Sequence, residues 1–160
     1  MIKVGHKLPD ASFTVPSPDG LKPMRTAEIF SGKTVALFAV PGAFTPTCSA
    51  QHVPSYVKHY DELKAKGVDD ILCISVNDAF VMGAWSKDQH AQGKVRMMAD
   101  GSAAYTKALG LELDLTARGM GVRCQRFSAL VDDGVVKALN IEAPGKFEVS
   151  GAEPMLKQVG

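Results

Sequence analysis

The sequence predicts an α/β fold with a mixed central sheet flanked by helices, and three observations carry that reading. Two short apolar runs, at 34–40 and 71–76, are bounded by turn residues, as strands covered on both faces are. Between them Val53, Tyr56, Val57, Tyr60 and Leu63 recur at the spacing of an amphipathic helix. Further on, the runs 127–131 and 135–139 flank Asp132-Asp133-Gly134, and Asp-Gly suits the positive φ of a primed hairpin turn.

Each element follows from its own residues. Thr34-Val35-Ala36-Leu37-Phe38-Ala39-Val40 and Ile71-Leu72-Cys73-Ile74-Ser75-Val76 carry no charge and read as central parallel strands. The helix between them puts Lys58, His59, Asp61, Glu62 and Lys64 on its outer face and ends near Lys66-Gly67. Asn77-Asp78 is a capping pair that opens a second helix carrying Phe80, Val81, Ala84 and Trp85, and a short strand at 95–99 follows. After the hairpin, residues 152–158 read as a closing helix. Strands alternating with helices, then a hairpin and a last helix, describe a thioredoxin-like arrangement rather than a purely parallel doubly wound sheet. Residues 1–160 are expected to form a single domain, since a chain of this size buries roughly 70% of its unfolded surface.

Composition narrows the function classes. Hydrophobic residues make up 46% and charged residues 22%, far from the signature of disorder. Lys plus Arg total 18 against 17 Asp plus Glu, with no basic tract, so no nucleic-acid partner is expected. Met1-Ile2-Lys3-Val4-Gly5-His6 has no apolar signal-type core, and no run approaches the roughly 20 apolar residues that span a bilayer. A cytoplasmic protein with no membrane contact is the expectation. The 3 cysteines form neither a disulfide framework nor a Cys-x-x-Cys pair, and no Cys/His cluster offers a metal four ligands.

Chemistry concentrates in Pro41-Gly42-Ala43-Phe44-Thr45-Pro46-Thr47-Cys48, between the first central strand and the crossover helix, where open α/β sheets hold ligands. With Thr45 as N-cap and Pro46 as the first helical residue, Cys48 falls in the first turn. A free thiol titrates near pH 8.5, and a helix N-terminus or a nearby cation lowers that by one to several units. The nucleophilic thiolate is then the resting form.

Pro41-xxx-Thr45-xx-Cys48 resembles the Pro-xxx-(Thr/Ser)-xx-Cys signature of peroxiredoxins. The wider string, with Ser75-Val76-Asn77-Asp78 and Arg126-Phe127, is similar to the type II, or atypical 2-Cys, group. The resemblance implies that Cys48 attacks the peroxide, Thr45 positions its oxygens, Pro41 shields the pocket and Arg126 holds thiolate and peroxide together. It implies no metal or organic cofactor, hydrogen peroxide and alkyl hydroperoxides as substrates, glutaredoxin with glutathione or thioredoxin as reductant, and a homodimer. Gly42 and Phe44 are expected at the pocket, while Phe80 and Trp85 read as core or as an apolar wall.

Several residues compete for supporting roles. Arg123 is the rival of Arg126, and on an extended segment the two face opposite sides. His52 shares a helical face with Cys48, so a Cys/His pair with His52 as base is an open reading beside a supporting one. The sulfenic acid left on Cys48 needs a second thiol. The segment 145–150 holds no cysteine, so a C-terminal resolving thiol is absent. Cys73 is a possible resolving residue, at a spacing like that of plant type II members, and an outside thiol is the other; Cys124 is a weaker candidate. Two other classes remain: a disulfide oxidoreductase, which lacks its cysteine pair here, and a redox-sensing or chaperone-like thiol protein with slow turnover.

Overall fold

A computed structural model describes residues 1–17 and 20–159. Its strands are β1 (Ser12–Ser17), β2 (Gly20–Arg25), β3 (Thr34–Val40), β4 (Asp70–Ser75), β5 (Arg96–Ala99), β6 (Glu112–Leu115), β7 (Gly121–Cys124), β8 (Phe127–Asp132) and β9 (Val135–Ile141). Its helices are α1 (Thr26–Phe30), α2 (Val53–Lys58), α3 (Tyr60–Ala65), α4 (Ala79–Asp88), α5 (Ala104–Leu109) and α6 (Ala152–Gln158), with a π-helical turn at Cys48–His52. Seven strands form one sheet in the order β2-β1-β5-β4-β3-β8-β9, and β6 pairs with β7 apart from it. The β3–β4 and β4–β5 pairs are parallel, whereas β8 runs antiparallel to both β3 and β9. The mixed sheet expected from the sequence is therefore present.

The alternation along β3 explains why it lies at the centre. Ala36, Phe38 and Val40 pack on one face with Tyr56, Leu63, Trp85 and Met155. Val35, Leu37 and Ala39 pack on the other with Ile29, Phe30, Tyr105 and Leu109. Both faces are covered, which is why the run is continuously apolar. Each large side chain so buried contributes roughly 1.5–3 kcal/mol.

The crossover helix is less regular than its periodicity predicts. It opens with the π turn, continues as α2, breaks at His59 (φ −98, ψ 14) and resumes as α3 up to Lys66. Pro54 explains the first irregularity: lacking an N–H, it cannot bond the Ala50 carbonyl. The Val53 N–H instead donates to the Cys48 carbonyl, the wider spacing of a π turn.

The remaining expected elements form at or close to their predicted positions. Asp133 (φ 49) and Gly134 (φ 80) both take left-handed conformations, as a primed turn between β8 and β9 requires. Trp85 is fully buried, whereas Phe80 is 73% exposed, so Phe80 belongs to no core. Asp78 caps α4 by accepting a 2.8 Å bond from the Val81 N–H. Replacing it, Asp78→Ala, should lower unfolding free energy by about 1 kcal/mol. Urea unfolding reads this directly, and an unchanged midpoint with unchanged slope would show that the cap contributes nothing.

Candidate active site

The loop after β3 is held from three sides before any reactive group is reached. The Thr45 hydroxyl donates to the Gly42 carbonyl at 2.6 Å, and the Ala43 N–H donates to Asn77 Oδ1 at 3.0 Å. Phe44 adopts φ 64, the strained point of the bend. The Ser49 N–H then bonds the Thr45 carbonyl at 3.0 Å and closes the first turn. Pro46 opens that turn and Cys48 lies inside it, fully buried.

Arg126, between β7 and β8, reaches across the sheet end to this turn. Its Nη2 lies 3.1 Å from Cys48 Sγ and its Nη1 lies 2.9 Å from His52 Nδ1. A guanidinium only donates, so Nδ1 is the acceptor and the imidazole proton sits on Nε2, which donates to the Ser150 carbonyl at 3.0 Å. The Tyr56 hydroxyl donates to the same carbonyl at 2.9 Å. His52 is itself buried, with ring centroids 4.6 Å from Phe38 and 4.9 Å from Phe147. Burial first, and the Arg126 charge next, push its pKa down to about 3. A neutral imidazole with Nδ1 occupied is not a base toward Cys48. That reading of His52 is corrected to one of holding Arg126.

Arg123 turns elsewhere. Its Nε donates to the Met120 carbonyl at 2.8 Å and its Nη1 to the Val76 carbonyl at 3.1 Å. A Cβ on Gly42 would approach Arg123 Nη1 to 3.3 Å and Thr45 Cγ2 to 3.1 Å, so Gly42 is packed between them. Arg123 thus props the loop, while Arg126 touches the sulfur.

A cavity of about 260 Å³ opens beside this arrangement, lined by Pro41, Thr47, Leu113 and Arg126 and by the segment 142–146. Of the residues expected at the site, Pro41 and Arg126 line this cavity, whereas Cys48, Thr45, Gly42 and Phe44 do not: Cys48 lies fully buried behind Arg126, Gly42 is buried behind the loop and Phe44 is 52% exposed. A larger crevice of about 920 Å³, lined in part by Phe80, Lys87 and Arg96, contains none of the residues around Cys48.

The other two cysteines differ in place and chemistry. Cys73 on β4 packs on the same sheet face as Cys48, whereas Cys124 packs on the opposite face. All three are free and buried. Burial pushes the Cys73 thiol well above its ordinary range, with the nearby Cys48 adding to it, and pushes Cys124 up to about 12. Among the described residues no group of three or more His, Cys, Asp or Glu is placed to hold a metal ion. No described helix is long and apolar enough to cross a membrane.

The arrangement presents one sulfur to one fixed cation beside a small cavity, which suits nucleophilic attack on a polarised bond. Sequence reasoning allowed His52 a supporting role but missed its partners, Arg126, Ser150 and, behind them, Glu142, because these contacts join positions far apart in the chain and leave no local pattern.

Comparison with known proteins agrees with that chemistry. Residues 3–156 match the Redoxin family model. Peroxiredoxin-2C of Oryza sativa subsp. japonica is 51% identical, over 98% of this chain and 97% of its own length. The crystal structure of reduced Prx3 in complex with hydrogen peroxide from Vibrio vulnificus is 51% identical with TM-score 0.95, covering 100% of both chains. A solved chain from Burkholderia cenocepacia with a provisional thioredoxin reductase name is 57% identical with TM-score 0.96, covering 98% of this chain and 97% of that one. Matched nearly end to end by a redoxin model and by peroxiredoxins, this chain belongs to the peroxiredoxin family and is a thiol-dependent peroxidase.

Proposed function

We propose that Cys48 is the peroxidatic residue of this peroxidase and Arg126 its electrostatic partner, a reading carried by the 3.1 Å contact between Cys48 Sγ and Nη2 of Arg126, which itself lines the cavity. The thiolate attacks one peroxide oxygen, the oxygen–oxygen bond breaks, and the departing oxygen takes a proton to leave as water or an alcohol. Cys48 is left as sulfenic acid. Arg126 and the N–H groups of the first turn stabilise charge on the departing oxygen. The Thr45 hydroxyl donates its hydrogen bond to the Gly42 carbonyl, so its oxygen lone pairs are left to accept from a peroxide O–H. Pro41 forms a wall of the cavity. Hydrogen peroxide and alkyl hydroperoxides both fit a cavity of about 260 Å³.

Glutaredoxin plus glutathione or thioredoxin is the reductant that returns the oxidised enzyme to the thiol, acting on the sulfenic acid directly or on a disulfide. A second reading, that Cys73 first traps the sulfenic acid, is favoured by its position on the same sheet face as Cys48. The cytoplasm, a reducing compartment, suits three free cysteines. A homodimer would give cover to exposed apolar side chains such as Phe44 and Phe80. The disulfide oxidoreductase alternative lacks a Cys-x-x-Cys pair. A redox-sensing or chaperone-like protein would instead turn over slowly with every reductant.

Three outcomes are expected. Cys48→Ser should abolish peroxide consumption while the circular dichroism spectrum stays native; turnover in the purified variant would end the proposal. Arg126→Ala should slow peroxide reduction by about 100-fold or more, exceeding the effect of Thr45→Ser, and Arg123→Ala should not match it. Peptide mass spectrometry after one equivalent of peroxide, without reductant, should find a Cys48–Cys73 disulfide. Cys48 left as sulfenic or sulfinic acid with no such bond would leave resolution to an outside thiol, and a bond to Cys124 would make that residue the resolver in place of Cys73.

Stability should also report His52. Its folded pKa, about 3, lies below the ordinary 6.5, so the unfolded chain takes up the proton first. The associated stability is complete above pH 6.5 and is lost as pH falls from 6.5 toward 3. At 1.36 kcal/mol per unit this amounts to about 2 kcal/mol between pH 7 and pH 5. Denaturant unfolding at the two pH values should show that loss in the wild type and a smaller one in His52→Asn. Equal losses would place the titration elsewhere.

A further inference from the structure

Behind His52 lies a buried carboxylate that peroxide chemistry does not itself require. Glu142 follows β9, and its own N–H donates to the Arg126 carbonyl at 3.0 Å, so the two residues are paired through the backbone. Its side chain is buried and forms none of the described ion pairs. Instead Oε2 accepts from the N–H groups of Glu148 (2.9 Å), Val149 (2.9 Å) and Ser150 (2.8 Å) and from the Ser150 hydroxyl (2.6 Å). Oε1 accepts from Glu148 as well, at 3.0 Å. Burial opposes the charge, but these donors outweigh it and hold the carboxyl below its ordinary range.

This nest fixes the backbone at Ser150, and the Ser150 carbonyl is the group that accepts the His52 Nε2 proton. With Nε2 protonated, Nδ1 is bare and receives Arg126 Nη1, leaving Nη2 on Cys48. If the carbonyl moved away, the imidazole would gain freedom to carry its proton on Nδ1, where it would oppose the guanidinium. One carboxylate therefore governs a chain of contacts that ends at the reactive sulfur.

We propose that Glu142 is a positioning residue for peroxide reduction, acting through Ser150 and His52 to hold the Arg126 guanidinium on Cys48. The proposal rests on the reading of Cys48 and Arg126 given above. A carboxylate that only anchored the 148–150 segment would affect melting temperature and nothing else. One that only shaped the cavity wall at 142–146 would affect bulky peroxides more than hydrogen peroxide.

The test uses Glu142→Gln, which keeps the shape and removes the charge. Single-turnover oxidation by hydrogen peroxide and by cumene hydroperoxide should slow by a similar factor, about tenfold, as expected when a catalytic group is displaced by a fraction of an ångström. The rate of reduction of the oxidised enzyme by dithiothreitol should be unchanged. Nitrogen-15 NMR of the histidine rings should show His52 as a single Nε2–H tautomer in the wild type, with both nitrogen shifts moving toward averaged values in the variant. If Glu142→Gln does not fold, Ser150→Ala removes the 2.6 Å hydroxyl bond while keeping the backbone donors, and the same readouts apply. An unchanged peroxide rate would overturn the proposal. So would a slowed rate with His52 signals unaltered, or slowing confined to cumene hydroperoxide. If Arg126→Ala reacts at the wild-type rate, the reading of Arg126 has failed, and the His52 signals still report on Glu142 independently.

Discussion

The contact between Arg126 and Cys48 sets the terms for everything around it. Removing a guanidinium from water costs several kcal/mol unless its N–H groups find acceptors. A carboxylate would satisfy them best, but it would also cancel the charge that the proposed attack at Cys48 relies on. None of the described ion pairs involves Arg126. The acceptor on Nη1 is an imidazole kept neutral by burial among Phe38, Tyr56 and Phe147. Orientation is thereby separated from neutralisation: the ring aims the cation and leaves its charge intact.

The turn that carries Cys48 is built for a different demand. The sulfur is fully buried, and the proposed chemistry requires it to meet a peroxide and afterwards a second thiol. Pro54 removes one helical hydrogen bond and leaves the wider Val53-to-Cys48 bond in its place. The Ser49 hydroxyl is tied to the Trp85 indole at 3.0 Å, so the turn is latched to the core by a side chain rather than by a full helical ladder. Segments with few backbone bonds open at a fraction of the global unfolding free energy. On the proposed reading, such a turn holds a precise geometry for attack and still releases a Cys48 sulfenic acid to a second thiol.

The sequence was most legible where physics is local. The apolar run of β3, the Asp133-Gly134 turn, the Asp78 cap and the bounds of α6 each follow from neighbouring residues, and the helix-start position of Cys48 follows from Pro46. The β1–β2 hairpin was not foreseen, because Pro16 and Pro23 interrupt what would read as strands and both lie toward the sheet edge, where proline is tolerated. The short β6–β7 pair and α5 carry too few periodic residues to stand out. Arg126 was identified by its neighbour Phe127, but its second contact was invisible. His52, Ser150 and Glu142 meet only once the sheet has closed, and a histidine near a cysteine looks the same on paper whether it is a base or an acceptor.

The three cysteines show that burial alone does not decide reactivity here. All three are buried and free, so exposure separates none of them. What differs is the surrounding set of donors. Cys73 lies mid-strand among apolar side chains, and Cys124 has the Thr106 hydroxyl as its hydrogen-bonding neighbour; for both, desolvation dominates and the protonated thiol is favoured. Cys48 is also out of water, but a guanidinium nitrogen lies 3.1 Å from its sulfur and a helix begins beneath it. In a low-dielectric site a fixed cation acts more strongly than it would in solvent, so the guanidinium at its side, not exposure, is what sets the third sulfur apart.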